Sequence, residues 1–582
     1  MNISYEKFFN SVNNKQWLIK DVDNLKVSKL VQDLDINDLL ARLICSRGIE
    51  SENAKVFLNP SLKKQIPSPF SILDMNKATN RISKAIINNE RIAIFGDYDV
   101  DGATSSAVLY KILQSFGSKA LIYIPDRIKE GYGPNIKAFK YLKKKNIDLV
   151  ITVDCGMTAF EEIDYANNID LDIIIVDHHA PEAKLPKALA VINPNRLDDN
   201  SNLGMLAAVG VVFMLIGALK IKLIDLNYIK ASDGPNLSKI LDLVALGTIC
   251  DVVPLIGPNR ALVSQGLKVM SKKNNIGIKA LFEISGIEEF PKVFHAGFVL
   301  GPRINAGGRV GESELGSKLL ITNNEVEAKN ISFKLNDFNE QRKKIENEVI
   351  NEAKDMALLN NDSKILVLHN KNWHMGVIGI VASRIVEFFN KPAIIISENG
   401  KISKGSGRSV PGVNIGNLIT SAKQKGILEN GGGHPMACGL TINSNKISQL
   451  KDFLNSKVNT NNINNDNFHW IDMPIAVKGA SIKMMNQFKN AEPFGPGNPE
   501  PIFIIKNALV FNPKIVGEKH IRCDISDSSN ARISGIAFRS VETILGKTIL
   551  KNNNMHVIGK LKLSEWNGRE QVQMHIMDAI KF

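Results

Sequence analysis

From Arg91 onward, short apolar runs alternate with amphipathic stretches. The runs are Ile92–Phe95, Ala120–Ile124, Leu149–Val153, Ile173–Val176 and Ala188–Ile192. Between them, Thr104–Phe116, Ile136–Lys145 and Ala159–Asn167 carry apolar residues at helical spacing. Continuous apolar runs mark strands buried on both faces, where half-exposed strands would alternate. Separated by helices, they predict a doubly wound α/β domain with a parallel sheet. Residues 200–290 read as mostly helical. Within them, Leu203–Leu219 is a stretch of 17 residues without a charge. It is shorter than the ~20 residues of a membrane span and holds Gly204, Gly210 and Gly217. A buried core helix is expected.

Between Gly316 and Gly376 there is no Gly or Pro, and Glu325–Leu358 is rich in Glu, Lys and Asn. One or two long helices are predicted there, joining two domains. A second, smaller α/β unit follows, with strands at Ile365–Leu368 and Ala393–Ile396 and a helix at Val377–Phe389. It carries the Gly-rich stretches Gly405–Gly412 and Gly431–Gly439, read as turns. Asn459–Asn467 is a polar linker. The last unit has short strands at Ile502–Ile505, Ile521–Ile525, Ile533–Phe538, His556–Leu561 and Gln571–Met577. These suit a small β-barrel, OB-like or SH3-like. The expected division is 1–70 helical lead-in, 71–324 first α/β domain, 325–360 connecting helices, 361–458 second α/β domain, 459–469 linker and 470–582 barrel.

The 582 residues hold 72 Lys+Arg against 59 Asp+Glu, a net charge of +13. From Trp470 the balance is 15 basic against 10 acidic residues. A basic chain favours polyanionic partners, nucleic acid before membrane. Cys45, Cys155, Cys250, Cys438 and Cys523 are scattered and never spaced C-x-x-C. That argues for a reducing, cytoplasmic compartment and against a zinc ribbon. The N-terminus lacks a basic-then-apolar signal pattern.

The sharpest chemical feature is Gly96-Asp97-Tyr98-Asp99-Val100-Asp101-Gly102, directly after an apolar strand. Alternation would put the three aspartates on one face if the strand continued, with Gly102 turning the chain into the next helix. Carboxylates this close repel each other unless a hard divalent cation sits among them. An EF-hand loop is excluded, because its twelfth position is Val108 and a strand precedes it. A P-loop at Gly546-Lys547-Thr548 is excluded, because its first glycine would fall on Val541. Asp154 ends the strand Leu149–Val153, and Asp177-His178-His179 ends the strand Ile173–Val176. Three strand ends of one sheet thus offer metal ligands together, at the edge where open α/β sheets bind ligands. Asp251 follows the helical stretch Leu241–Ile249 and is a fourth candidate. Carboxylates with one or two imidazoles suit Mg²⁺ or Mn²⁺. Two such cations need a bridging carboxylate, and Asp154 is the expected bridge.

GDYDVDG, VDCG, DHH and a downstream TICDVVP resemble the DHH phosphoesterases. Gly405-Ser406-Gly407-Arg408-Ser409 and Gly431-Gly432-Gly433-His434, running on to Gly439, resemble the accessory DHHA1 domain. Gly301-Pro302-Arg303-Ile304-Asn305-Ala306-Gly307-Gly308-Arg309 and Pro493–Glu500 narrow the likeness to the exonuclease branch, with its C-terminal OB domain. The resemblance implies a metal shell of Asp97, Asp99, Asp101, Asp154, His178 and Asp251. It places Asp99, Asp154, His178 and His179 in catalysis, His179 on the scissile phosphate. It also implies phosphate contacts from Arg127, Arg303 and Arg309, a 5′-phosphate site at Ser406 and Arg408, and substrate contact by His434. The implied activity is 5′→3′ hydrolysis of single-stranded DNA by two divalent cations, in DNA repair and recombination. The implied setting is a monomer beside a helicase and a single-strand-binding protein, away from membranes. Phe494, Phe538 and Trp566 are candidate base-stacking residues of the barrel. Two other readings are weighed against this one. An oligoribonuclease- or phosphatase-type relative would be shorter and lack the barrel. A non-catalytic single-strand-binding scaffold would have lost metal ligands.

Overall fold

The computed structural model describes residues 5–8, 11–127, 129–360, 362–459, 468–551, 554–566 and 569–581. They form two compact units. One comprises residues 67–253 and 265–466. The other comprises 1–66, 254–264 and 467–582.

The larger unit opens with a five-stranded, wholly parallel sheet. Its spatial order is Ala120–Tyr123, Ile92–Gly96, Leu149–Val153, Asp172–Val176, Ala190–Ile192. In chain order this is 2-1-3-4-5, so the topological switch lies between the first and third strands. Every residue of Ile92–Gly96 and Leu149–Val153 is buried, which explains the continuous apolar runs. Helices Ile136–Lys144 and Phe160–Asn168 cover one face through Phe139, Leu142, Ile163 and Ala166. Helix Val100–Ser115 is buried almost all round, with Gly102, Ala103, Ser105, Ser106 and Ala107 keeping it slim. The uncharged stretch lies largely in helix Ala208–Asp225, whose buried side chains include Val211, Val212, Leu215 and Leu219. Among the described residues, no helix is long and apolar enough to cross a membrane.

A single helix, Glu325–Leu359, runs 35 residues, about 52 Å at 1.5 Å per residue. Asn324 caps its start by accepting from the N–H groups of Val326 and Glu327. Its later residues Val349, Ala353 and Ala357 enter the core of the second sheet with Leu366, Leu368 and Ile385. That sheet has the order Asn430–His434, Ala437–Asn443, Ile402–Arg408, Ala393–Ser397, Leu366–Asn370. Only its last pair is parallel. The Gly-rich stretches read as turns therefore lie largely in antiparallel strands. Glycine serves there for close packing, since a Cβ at Gly407 would meet Cys438 Sγ at 2.5 Å and Ile415 Cδ1 at 2.8 Å.

In the smaller unit, strands Phe503–Val516, His520–Ser526, Arg532–Ala537, Arg569–Lys581 and Asn554–Trp566 close back on the first. The order 1-2-3-5-4-1 includes one parallel pair, Arg532–Ala537 with Arg569–Lys581. Helix Ile544–Ile549 lies between the third and fourth strands in the chain. This is the Greek-key closure of an OB-fold, which removes the SH3-like alternative. Helices Asn24–Leu34 and Asp38–Ser46 share the barrel's core, with Leu30, Leu40 and Leu43 beside Phe488 and Phe503. The N-terminal segment also contributes strands Tyr5–Phe8 and Gln16–Lys20, and the latter pairs with Phe468–Ile471. Residues 254–264 join the same unit through Arg260. Its guanidinium donates to the carbonyls of Phe57, Ala491, Glu492 and Pro493 and lies 4.0 Å over the Phe57 ring. Residues 460–467 of the predicted linker lie outside the described residues.

Candidate metal centre and phosphate-binding face

The aspartate triplet does not continue the strand. Ile92–Gly96 ends before Asp97, and the next helix begins at Val100, earlier than its apolar spacing predicts. Asp97 sits at the strand end. Asp99 is the helix N-cap, accepting from Gly102 N–H at 3.0 Å, and Asp101 is in the first turn. Gly102 belongs to the helix and makes no turn. A Cβ there would lie 2.4 Å from the Asp97 carbonyl oxygen, so only glycine lets the helix start this close to the strand. Asn305 secures the corner by accepting from Val100 N–H at 3.1 Å.

Asp154, at the end of the third strand, and Val252, next to Asp251, both hold left-handed backbones, with φ of 62° and 61°. For a β-branched valine this is a strained conformation, of the kind concentrated at functional sites. Asp251 caps the C-terminus of helix Leu241–Cys250.

These elements converge. Ligand atoms of Asp97, Asp99 and Asp154 lie within 4.8 Å of one another, as do those of Asp101, His178 and Asp251, and those of Asp154, His178 and His179. Asp154 and His178 each belong to two of the three groups. His178 Nε2 lies 3.5 Å from Asp154, 3.6 Å from Asp251 and 3.9 Å from Asp101. Asp97 Oδ1, His178 Nε2 and Asp251 Oδ2 are buried without a hydrogen-bond partner. Orphaned polar atoms aimed into one acidic centre fit hard divalent cations. Burial, followed by repulsion from neighbouring aspartates, raises Asp97, Asp101 and Asp154 well above the usual carboxylate range. Burial and Asp99 bring Asp251 to about 7. Asp101 also accepts from the N–H groups of Ala208 and Val209, at 2.7 and 2.9 Å.

The two histidines are set in opposite states. Burial, reinforced by His179, lowers His178 to about 4, a neutral imidazole at physiological pH. Burial would lower His179 too, but the Asp177 carboxylate outweighs it and holds His179 at about 9. Asp177 Oδ1 lies 2.7 Å from His179 Nδ1 and accepts both histidine backbone N–H groups, at 2.7 and 3.1 Å. Asp177 thus leaves the strand-end ligand set expected from sequence and orients His179. Asn195 and Asn193 donate to the carbonyls of His178 and His179, at 2.6 and 2.8 Å. Tyr132 donates to the Asp154 carbonyl at 3.1 Å. Sequence reasoning assigned no role to Asn193, Asn195, Asn305 or Tyr132, because a single polar residue outside a periodic pattern carries no spacing signal.

Contacts lead away from this centre toward the second sheet. The Arg127 guanidinium lies 4.9 Å over the Tyr98 ring. Gly308 packs on Tyr98 closely enough that a Cβ would meet its carbonyl oxygen at 2.9 Å. Arg309, next in the chain, donates to the Gly376 carbonyl at 3.2 Å. Gly376 leads into helix Ile378–Phe389, and a Cβ on Gly379, in its first turn, would sit 3.2 Å from Ser406 Oγ and 3.6 Å from Arg408 Nη2. A helix N-terminus beside Ser406 and Arg408 is suited to an anion. Register adds His434. Arg408 pairs with Ala437, which pairs with His434, while the neighbouring row reads Ser406, Gly439, Gly432. Directly opposed residues share a face, so this face carries the Arg408 guanidinium and the His434 ring beside a nearly bare backbone trough. Arg303 instead faces the connecting helix, donating to Asn336 Oδ1 at 3.1 Å and to the Val299 carbonyl at 2.7 Å. In the barrel, Phe538 is 52% exposed and contacts the rings of His520 and His575. Phe494 packs partly buried against the core, and the side chain of Trp566 lies outside the described residues.

A parallel sheet with its acidic centre at the switch point, joined to a small cation-bearing sheet, defines a DHH-type phosphoesterase with an accessory domain. Family models agree: DHH family, N-terminal domain, matches residues 91–248, DHHA1 domain 362–460 and RecJ OB domain 471–578. The chain is 34% identical over 575 residues to the single-stranded-DNA-specific exonuclease RecJ of Bacillus subtilis, covering 97% of this chain and 70% of that protein. It is 32% identical to the RecJ of Escherichia coli, covering 94% and 96%. A crystal structure of Thermus thermophilus RecJ in complex with Mn²⁺ matches with a TM-score of 0.82 at 26% identity, over 97% of this chain and 79% of that one. The same protein in complex with Mg²⁺ matches with a TM-score of 0.76 at 25% identity, over 97% and 78%. The chain belongs to the RecJ family.

Proposed function

We propose that this chain is a divalent-cation-dependent exonuclease that degrades single-stranded DNA from its 5′ end and releases 5′-mononucleotides. One observation carries the reading. Three ligand groups interlocked through Asp154 and His178 are joined by contacts through Arg127, Tyr98, Gly308, Arg309 and Gly376 to the Ser406–Arg408 face. A metal centre and an anion site at the two ends of one track suit an enzyme that counts from a terminal phosphate.

Asp97, Asp99, Asp101, Asp154, His178 and Asp251 would hold two Mg²⁺ or Mn²⁺ ions. Such cations supply neutralisation of the phosphoryl oxygens and acidification of an attacking water. Neutral His178 keeps a lone pair available as a ligand. His179, protonated and fixed through Nδ1 by Asp177, presents Nε2–H to a phosphoryl oxygen and stabilises charge as it develops there. Arg127 and Arg309 grip phosphates bidentately. Ser406, Arg408 and the start of helix Ile378–Phe389 capture the 5′-terminal phosphate, and His434 contacts the adjoining nucleotide. Arg303 would steady the strand farther along, and the barrel adds affinity through its positive charge and Phe538. The division of labour follows the domains read at 71–324, 361–458 and 470–582. We place the enzyme in the cytoplasm as a monomer, in DNA repair and recombination beside a helicase and a single-strand-binding protein. Its five free thiols fit a reducing compartment.

The test is degradation of single strands labelled at either end, and of a blunt duplex, with Mn²⁺ or Mg²⁺, by wild type and Asp154→Ala. Early release of the 5′ label as a mononucleotide is expected, absent on the duplex and reduced about 10²–10³-fold in the variant, the scale of removing a group that stabilises transition-state charge. Cleavage of very short oligonucleotides alone would indicate an oligoribonuclease-like enzyme. Binding without hydrolysis would indicate a scaffold and overturn the proposal.

A further inference from the structure

Arg127 and Tyr132 leave one loop, between strand Ala120–Tyr123 and helix Ile136–Lys144. The Arg127 guanidinium lies 4.9 Å over the Tyr98 ring. An arginine held by a ring keeps its N–H fork for an anion, whereas a carboxylate would occupy it. Tyr132 donates to the Asp154 carbonyl at 3.1 Å, and its ring stands edge-on to His179, with centroids 6.1 Å apart. Gly131 and Gly133 flank Tyr132 with φ of 89° and 79°. Glycines widen the conformations open to a chain that nothing else holds.

Glu130 holds this loop. One of its carboxylate oxygens accepts from Asp126 N–H at 2.8 Å. The other accepts from the Tyr123 hydroxyl at 2.7 Å and from Asn135 Nδ2 at 3.1 Å. Each donor is fixed in turn. The Tyr123 ring stacks on Phe95, with centroids 5.3 Å apart, in the strand that leads to Asp97. Asn135 caps helix Ile136–Lys144 by accepting from Ala138 N–H at 2.9 Å. The Asp126 carbonyl accepts from the N–H groups of Glu130 and Gly131, at 2.8 and 3.2 Å. The three donors to Glu130 are all neutral, so the carboxylate serves as a three-bond acceptor. An amide cannot match it. Glutamine would turn an N–H toward either the Asp126 N–H or the Asn135 amide.

We propose that Glu130 is a positioning residue for the exonuclease reaction: by tying strand end, loop and helix start together, it sets Arg127 for a substrate phosphate and Tyr132 against Asp154 and His179. This rests on the exonuclease reading and deepens it. Glu130 acts through those two side chains and not by a contact of its own.

The experiment follows release of the 5′ label from a 5′-phosphorylated oligothymidylate in Mn²⁺. It compares wild type, Glu130→Gln, Arg127→Gln, Arg408→Gln and the double variants of Glu130→Gln with each arginine change, with melting temperatures measured alongside. Glu130→Gln is expected to lower kcat/KM about 10–100-fold, the scale of residues that orient a site's groups, at a melting temperature close to wild type. In the Arg127→Gln background the same change should have a much smaller effect, because both act on one group. In the Arg408→Gln background the losses should multiply. A purely structural Glu130 predicts a lower melting temperature and losses that multiply in both backgrounds. That result overturns the proposal, as does wild-type activity in Glu130→Gln. Should Glu130→Gln not fold, Tyr123→Phe removes one of the three bonds and keeps the ring on Phe95, and unchanged activity in it overturns the proposal equally. If wild type itself releases no label, the exonuclease reading fails instead.

Discussion

His178 and His179 are adjacent in the chain, yet one is held neutral and the other protonated. The difference comes from Asp177, which bonds only the second ring. Asp177→Asn keeps the ligand groups but removes the charge that holds His179 near 9. The alkaline limb of the rate profile should then move toward neutral pH, with turnover at pH 7 down roughly 10–100-fold, the scale seen for residues that orient a site's ligands. An unshifted limb would exclude His179 as the protonated donor. The carboxylates make a second prediction. Asp97, Asp101, Asp154 and Asp251 keep their protons to higher pH when folded than when unfolded. Above the unfolded value, unfolding therefore releases protons, and stability falls as pH rises through the folded values. In EDTA the melting temperature should drop between about pH 5 and pH 8. Added Mn²⁺ should restore it, more at the upper pH, because a cation stabilises the ionised cluster. Scanning calorimetry across that range decides it.

At the scale of elements, much was legible. The first domain's five strands and three of its helices stand close to where their apolar spacing put them, because burial on one or both faces leaves a local periodic trace. The candidate ligands Asp97, Asp154 and His178 were legible for a related reason: they stand just past strand ends. What the pattern misplaced was the start of helix Val100–Ser115. Asp99 as N-cap and buried small residues in the first turn carry no amphipathic signal. Gly102 is the hinge of that difference. Gly102→Ala forces its methyl into the Asp97 backbone. A loss of about 1–3 kcal/mol, the usual range for overpacking, is expected with weaker Mn²⁺ binding. Unchanged stability and Mn²⁺ affinity would show that strand and helix are not packed this closely. The Gly-rich stretches were misread because glycine signals turns by conformational freedom and strands only by what packs against them.

At the scale of the molecule, residues far apart in sequence decide what holds together. Arg260 ties residues 254–264 to Phe57 and to Ala491–Pro493 by four hydrogen bonds. Nothing in the sequence around it announces this, since its partners are carbonyls, which every residue has. Arg260→Ala leaves those acceptors buried and unpaired. It should destabilise the barrel-containing unit by about 3 kcal/mol, seen as an earlier transition in urea, with the metal centre's affinity for Mn²⁺ unchanged. The sequence by itself determined the strands of the parallel sheet, where the acidic clusters fall and which cations such donors suit, because periodicity and ligand chemistry are local properties. Only the tertiary structure decided that the first and third strands are neighbours, that Asp177 serves His179, and that the N-terminal helices complete the barrel's core. Those outcomes depend on pairing and packing between distant segments, and a distant segment leaves no periodic mark on the chain it meets.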